Sequence, residues 1–162
     1  MRVCYFWSAD WPEARRLLAE HAPGAESVWT GADDYAYWRA TAARWGADDL
    51  VTIEHDNGIH ADVIPQFEAC PEPWCSFGYQ IGSGICVLGG GCRKLSLDLQ
   101  RQVTIRDILY PVRDIGECAE CAALCWRHMD TRIAGALRRA GFSEPHVHEP
   151  PIRHLRMEQD LL

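Results

Sequence analysis

Over residues 1–70 the chain alternates between short β-branched or aromatic runs and longer stretches whose apolar positions recur every three or four residues. Arg2 to Trp7 reads as a buried strand, and Ser8-Ala9-Asp10-Trp11-Pro12-Glu13 follows as a helix start. Asp10 is placed to cap that helix, Pro12 falls in the first turn, and Glu13 meets the positive end of the helix dipole. Leu17, Leu18 and His21 extend the helix to Pro23-Gly24. Glu26 to Thr30 is a second strand, after which Tyr35, Trp38, Ala42 and Trp45 recur at helical spacing as far as Gly46. A third run, Leu50-Val51-Thr52-Ile53, ends abruptly in Glu54-His55-Asp56 and the turn dipeptide Asn57-Gly58. Residues 60–69 then form a short helix, interrupted or kinked near Pro65.

Three strand–helix units in succession predict parallel strands with helices on the sheet faces, because each parallel crossover needs a connection of helix length. In such sheets ligands bind beyond the carboxyl ends of the strands. The acids that end the third strand therefore stand where a metal or phosphate is held.

The second half changes character. Trp74 to Gln80 and Ile85 to Leu88 read as strands around Gly82-Ser83-Gly84, Lys94 to Val103 as a helix, and Arg106 to Asp114 as a loop with a short strand. Gly89-Gly90-Gly91 lacks the spacing of a phosphate loop or of a dinucleotide fingerprint, so these glycines let backbone approach a ligand or another strand. A long amphipathic helix from Glu117 to Ala140 turns Trp126, Met129, Ile133 and Leu137 inward. Asp130 lies on that same stripe, where a carboxylate is either tied to an arginine or backbone group or faces the crevice. Gly141 ends the helix. In the extended segment after it, His146, His148 and His154 share a parity and can point one way.

Composition narrows the function. The 162 residues suit a single domain, and 16 basic against 23 acidic residues give a net charge of −7, which supplies no global positive field for nucleic acid. Met1 to Trp7 runs into Ser8 and Asp10 before an export signal can develop, and no apolar run is long enough to span a bilayer, so a cytoplasmic protein with no membrane partner is expected. The eight cysteines are then expected as thiols. Cys4 and Cys86 sit in apolar runs as core residues. Cys118-x2-Cys121-x3-Cys125 has part of the spacing of a zinc site but also suits the packing face of a helix. Cys70 and Cys75 flank the stiff Pro71-Glu72-Pro73-Trp74, which can bring the two thiols together for a disulfide under oxidising conditions.

Acid and histidine ligands around a hard or borderline divalent cation make a site that can neutralise a diphosphate leaving group. At Asp34-x-x-x-Trp38, Val51-Thr52-Ile53-Glu54-His55-Asp56, Cys70-Pro71-x-Pro73-Trp74-Cys75, Trp126-x-x-x-Asp130 and His146-x-His148-x-Pro150-x-x-x-His154 the sequence resembles the GT-A-fold glycosyltransferases. It is most similar to the short glycosyltransferase-like proteins of actinobacterial phages, which implies a host-cytoplasm setting. The resemblance implies an α/β fold: a compact GT-A-like, Rossmann-like three-layer sandwich with a mainly parallel central sheet, 1–70 forming the nucleotide-binding half and 71–162 the acceptor half. It implies a sugar moved from a nucleotide-sugar to a hydroxyl acceptor, itself a surface or a protein, with Mn2+ or Mg2+ as cofactor. Asp56 with His148 or His154 would hold the metal, and Glu54 would contact the ribose or a metal-bound water. Ser8, Ala9, Asp10 and Asp33 or Asp34 would surround the nucleoside, and Asp130 or Glu117 would serve as general base in an inverting reaction. Glu in the first place of the acidic triplet lengthens that side chain relative to the family's DxD. The alternatives are a catalytically inactive sugar-nucleotide binder, a zinc-stabilised binding module and a metal-dependent phosphoester hydrolase.

Overall fold

The computed structural model describes residues 1–31, 34–81, 84–86, 91–109 and 129–156. In chain order the elements are β1 (Arg2–Trp7), α1 (Pro12–His21), β2 (Glu26–Trp29), α2 (Asp34–Ala42), β3 (Leu50–Glu54), β4 (Asn57–Gly58) and α3 (Val63–Ala69). These are followed by β5 (Trp74–Ile81), β6 (Gly84–Cys86), β7 (Cys92–Leu95), α4 (Leu97–Gln102), α5 (Ile105–Leu109), α6 (Met129–Arg139) and β8 (His146–His154).

One sheet runs in the order β2-β1-β3-β7-β5-β8-β4, with β6 folded back on β5. β1 is parallel to both β2 and β3, and β5 is parallel to β8. β7 runs against both of its neighbours. The expected mainly parallel sheet is therefore a mixed one, with a reversed strand inserted at its centre.

At this strand the structure departs furthest from the pattern of polar and apolar positions. Arg93 and Lys94 make residues 92–95 look too polar for a central strand, and the expected helix began at Lys94. Strand alternation sends the two cations to opposite faces, where each is met: Arg93 Nη1 donates to Asp130 Oδ1 at 2.9 Å, and Lys94 Nζ donates to the carbonyls of Phe67 and Cys70 at 2.9 and 2.8 Å. The helix opens two residues later, at Ser96, whose Oγ caps it by accepting from the Leu99 N–H at 3.2 Å.

Helices cover both faces. On one, Val63 and Phe67 of α3 and the partly buried Leu18 of α1 pack on Tyr5, Val51, Ile53, Cys75, Phe77 and Cys92. On the other, Tyr37 and Trp38 of α2, Leu99 of α4, Ile108 of α5, and Ile133 and Leu137 of α6 pack on Cys4, Phe6, Leu50, Trp74 and Leu95. Burial of each such Leu, Ile or Phe is worth about 1.5–3 kcal/mol. Cys4 is a core residue, as its apolar run predicts; the side chain of Cys86 lies outside the description.

Smaller departures have local causes. Trp11, not Asp10, occupies the N-cap of α1, and Asp10 instead accepts from Arg15 Nη1 at 3.0 Å. Pro65 falls in the first turn of α3, where its missing N–H breaks no helical bond, so it causes no kink there. Asn57-Gly58 is drawn into pairing with Arg153 and His154 as β4. Residues 106–109, expected as part of a loop, belong to α5. Of the long helix expected from Glu117, the described part begins at Met129; Glu117, Cys118, Cys121, Cys125 and Trp126 lie outside the described residues.

The chain leaves β1 to place β2 on one side of it and β3 on the other. The strand order thus reverses at β1, and the carboxyl ends of β1, β2 and β3 open on one rim.

Candidate functional site

Each parallel strand delivers a short polar segment to that rim. Ser8, Ala9 and Asp10 follow β1 and are exposed, Thr30 and Gly31 follow β2, Glu54 ends β3, and His55 and Asp56 form the turn after it. Asp34 opens α2 at the same rim; Asp33 lies outside the described residues. Ser8, Thr30, Tyr37, Glu54 and His55 line a pocket of about 30 Å³, room for a single water. Ser8 Oγ lies 3.4 Å from His55 Nδ1, which ties the first and third strand ends together. Burial pulls the His55 imidazole below its ordinary value.

Alternation along β3 turns Glu54 toward α2 and α6. Its carboxyl accepts from the Tyr37 hydroxyl at 3.4 Å, and its backbone N–H donates to the Gly91 carbonyl at 2.8 Å. Burial pushes the Glu54 carboxyl up to about 8; Asp130 and Asp56 add to the rise, and Arg93 opposes it. Tyr37 stacks on Phe6 at 4.6 Å, and its hydroxyl is held well above its ordinary value by burial and by Glu54.

Asp130 comes to the same cluster from α6, in ion pair with Arg93 at 2.9 Å. Of the two roles open to an acid on that apolar stripe, the tie to an arginine is observed. Arg93 Nε and Nη2 are buried and find no partner among the described residues.

Asp56 and His154 meet across 98 residues of sequence. β8 pairs with β4 in the register Asn57↔His154, and the Leu155 N–H donates to the Asp56 carbonyl at 2.8 Å. This pairing sets His154 Nε2 3.6 Å from Asp56 Oδ2, with both side chains largely buried. The His154 ring also packs on Tyr79, centroid to centroid 4.8 Å. Behind the pair, Asn57 is fixed by donating from Nδ2 to the Gly91 carbonyl at 2.9 Å. A Cβ at Gly91 would lie 2.5 Å from that nitrogen, so the last residue of the glycine triplet serves close backbone approach, one of the roles expected for it.

His148 does not join them. It pairs with Phe77 on β5, while Ile152, two residues before His154, pairs with Tyr79. By this register about 13 Å of strand separates the two histidines. The His148 ring stacks on Phe77 at 5.0 Å and meets Phe67 edge-on at 5.7 Å. Shared parity in an extended segment is therefore not a shared ligand position: the tail histidines divide, with His154 at Asp56 and with His146 and His148 beside Cys70 and Cys75. Those two cysteines are free thiols.

No family model matches this chain, and neither a curated protein nor a solved structure matches it. Among the described residues no helix is long and apolar enough to cross a membrane.

Tyr37 and Arg93 are site residues that the sequence did not announce. Tyr37 is one position off the helical stripe read from Tyr35 and Trp38, and Arg93 sits in a strand that its own charge disguised. The signal for Arg93 was Asp130, a carboxylate on an apolar stripe that required a buried partner.

Proposed function

We propose that the chain is a metal-dependent glycosyltransferase that moves a sugar from a nucleotide-sugar to a hydroxyl acceptor. The observation that carries the reading is the meeting of Asp56 and His154 at 3.6 Å beside the reversal of strand order. The carboxylate oxygen suits either Mn2+ or Mg2+, and the imidazole nitrogen favours the less hard Mn2+ of the two. Asp56 and His154 would hold the ion, which when bound supplies positive charge for a departing nucleoside diphosphate.

This chain's own residues have separate tasks. The exposed Ser8-Ala9-Asp10 segment and Asp34 would seat the nucleoside across the rim, since the pocket behind them has room only for a water. Glu54, which lines that pocket and whose carboxyl is held up to about 8 mainly by burial, would in its ionised form take a proton from an acceptor hydroxyl through the water the pocket has room for. Asp130 and Arg93 would position Glu54 by setting the charge around it.

Incubation with Mn2+ and a panel of UDP-, GDP- and dTDP-sugars tests the proposal. Release of nucleoside diphosphate from one of them, reduced at least about 100-fold in Asp56→Ala, is expected. Turnover unchanged in that variant, or no release from any donor, counts against it. Release of free phosphate or sugar phosphate in place of nucleoside diphosphate would indicate a phosphoester hydrolase.

A further inference from the structure

On the far side of β5 from Arg93, Cys70, Cys75 and His148 converge. One ligand atom from each, the two thiol sulfurs and an imidazole nitrogen, all lie within 4.8 Å of one another, and all three residues are buried. They come from separate pieces of chain: Cys70 follows α3, Cys75 lies on β5 and His148 on β8.

The cluster is unfinished as a purely protein arrangement. His148 is only 7% exposed, and its Nε2 is buried without a hydrogen-bond partner among the described residues. A buried polar nitrogen left in this way costs about 1–3 kcal/mol. His146 stands directly opposite Cys75 in the β5–β8 register and on the same face as His148, their rings 4.7 Å apart. It is exposed, and a turn of its ring toward Cys75 would supply a fourth ligand.

We infer that Cys70, Cys75, His146 and His148 form a zinc site of the Cys2His2 type, distinct from the Asp56–His154 pair. Tetrahedral zinc holds sulfur at about 2.3 Å and nitrogen at about 2.0 Å, which places ligand atoms roughly 3.3–3.8 Å apart. Closing the cluster onto an ion therefore requires contraction of about 1 Å. Soft thiolates and borderline imidazoles select zinc over the manganese or magnesium suited to the rim. On binding, each thiol releases one proton to solvent, two per ion, and the two thiolates leave the centre neutral. Burial raises the Cys75 thiol and lowers the His148 imidazole.

Neighbouring groups hold the ligands in place. Lys94 Nζ fixes the Cys70 carbonyl at 2.8 Å, and Pro71 and Pro73 stiffen the loop between the thiols. The site would clamp the end of α3 to β5 and β8, the strand whose other end brings His154 to Asp56. Its role is structural, because four protein ligands leave no position open for substrate.

Titration of the reduced full chain with Co2+, followed by displacement with Zn2+, tests the site. One cobalt per chain giving a thiolate-to-metal charge-transfer band is expected, the band lost on Zn2+ addition; cobalt held by the Asp56–His154 pair gives no such band. The band should vanish in Cys75→Ser and persist when Cys118, Cys121 and Cys125 are all replaced by Ser. His146→Ala, a surface change that leaves the fold intact by circular dichroism, should weaken zinc binding at least tenfold. Absence of a thiolate band in the wild-type protein overturns the inference. So does a band that survives loss of Cys75 or depends on the other three cysteines, and zinc affinity unchanged in His146→Ala overturns the four-ligand site.

Discussion

Arg93 of β7 and Asp130 of α6 meet at 2.9 Å on the face of the sheet where Glu54 ends β3, the arginine side chain 5% exposed and the aspartate 29%. The pair crosses from the reversed central strand to the last described helix, and it sets the charge beside the Glu54 carboxyl. Asp130→Asn leaves the buried guanidinium without its counter-charge and is expected to destabilise the fold by about 3 kcal/mol. Urea denaturation checks this. Replacing both residues, as Arg93→Met with Asp130→Leu, should cost less than the sum of the single changes.

Glu54 gives a pH dependence of defined sign. Its folded value of about 8 lies above the ordinary 4.5, so between those limits the folded protein holds a proton that the unfolded chain has released. The contribution of this group to stability is complete at and below about pH 4.5 and is lost as pH rises through about 8. Glu54→Gln should flatten the decline. Urea midpoints of the two proteins at about pH 5 and about pH 8 measure it: the gap between variant and wild type should move in favour of the variant at the higher pH.

Lys94 is buried, and its ammonium caps the carbonyls of Phe67 and Cys70 at the end of α3. Lys94→Met keeps the length of the side chain but leaves both carbonyls unpaired. A loss of about 2 kcal/mol is expected, with amide exchange accelerated first in residues 63–70.

Gly91→Ala places a Cβ 2.5 Å from Asn57 Nδ2, so the amide must leave the Gly91 carbonyl it now reaches at 2.9 Å. A destabilisation of about 2 kcal/mol is expected by thermal unfolding. In the background of Asn57→Ala the same glycine change should cost less, since the clashing group is gone.

How much of this was readable from the sequence depended on whether a residue's partner was local. β1, α1, β2 and β3 follow from apolar runs, Pro12, and the breaks at Pro23-Gly24 and Gly46, all signals within a few residues of the elements they bound. β7 was hidden because Arg93 and Lys94 are satisfied by Asp130 and by carbonyls of α3, groups distant in sequence. Ser96 was the local sign of the true helix start. At the rim, the acids ending β3 and a histidine from the last strand were legible as types. Which histidine meets Asp56 was not, because the register of β8 against β4 and β5 decides it.

The most direct test of the proposed function is the position of manganese in crystals soaked with Mn2+ and UDP, located by its anomalous scattering. A peak is expected between the Asp56 carboxylate and the His154 imidazole, with the diphosphate against it, and no such peak in Asp56→Ala crystals. Manganese bound elsewhere on the chain, or nucleotide bound with no metal at Asp56, would contradict it.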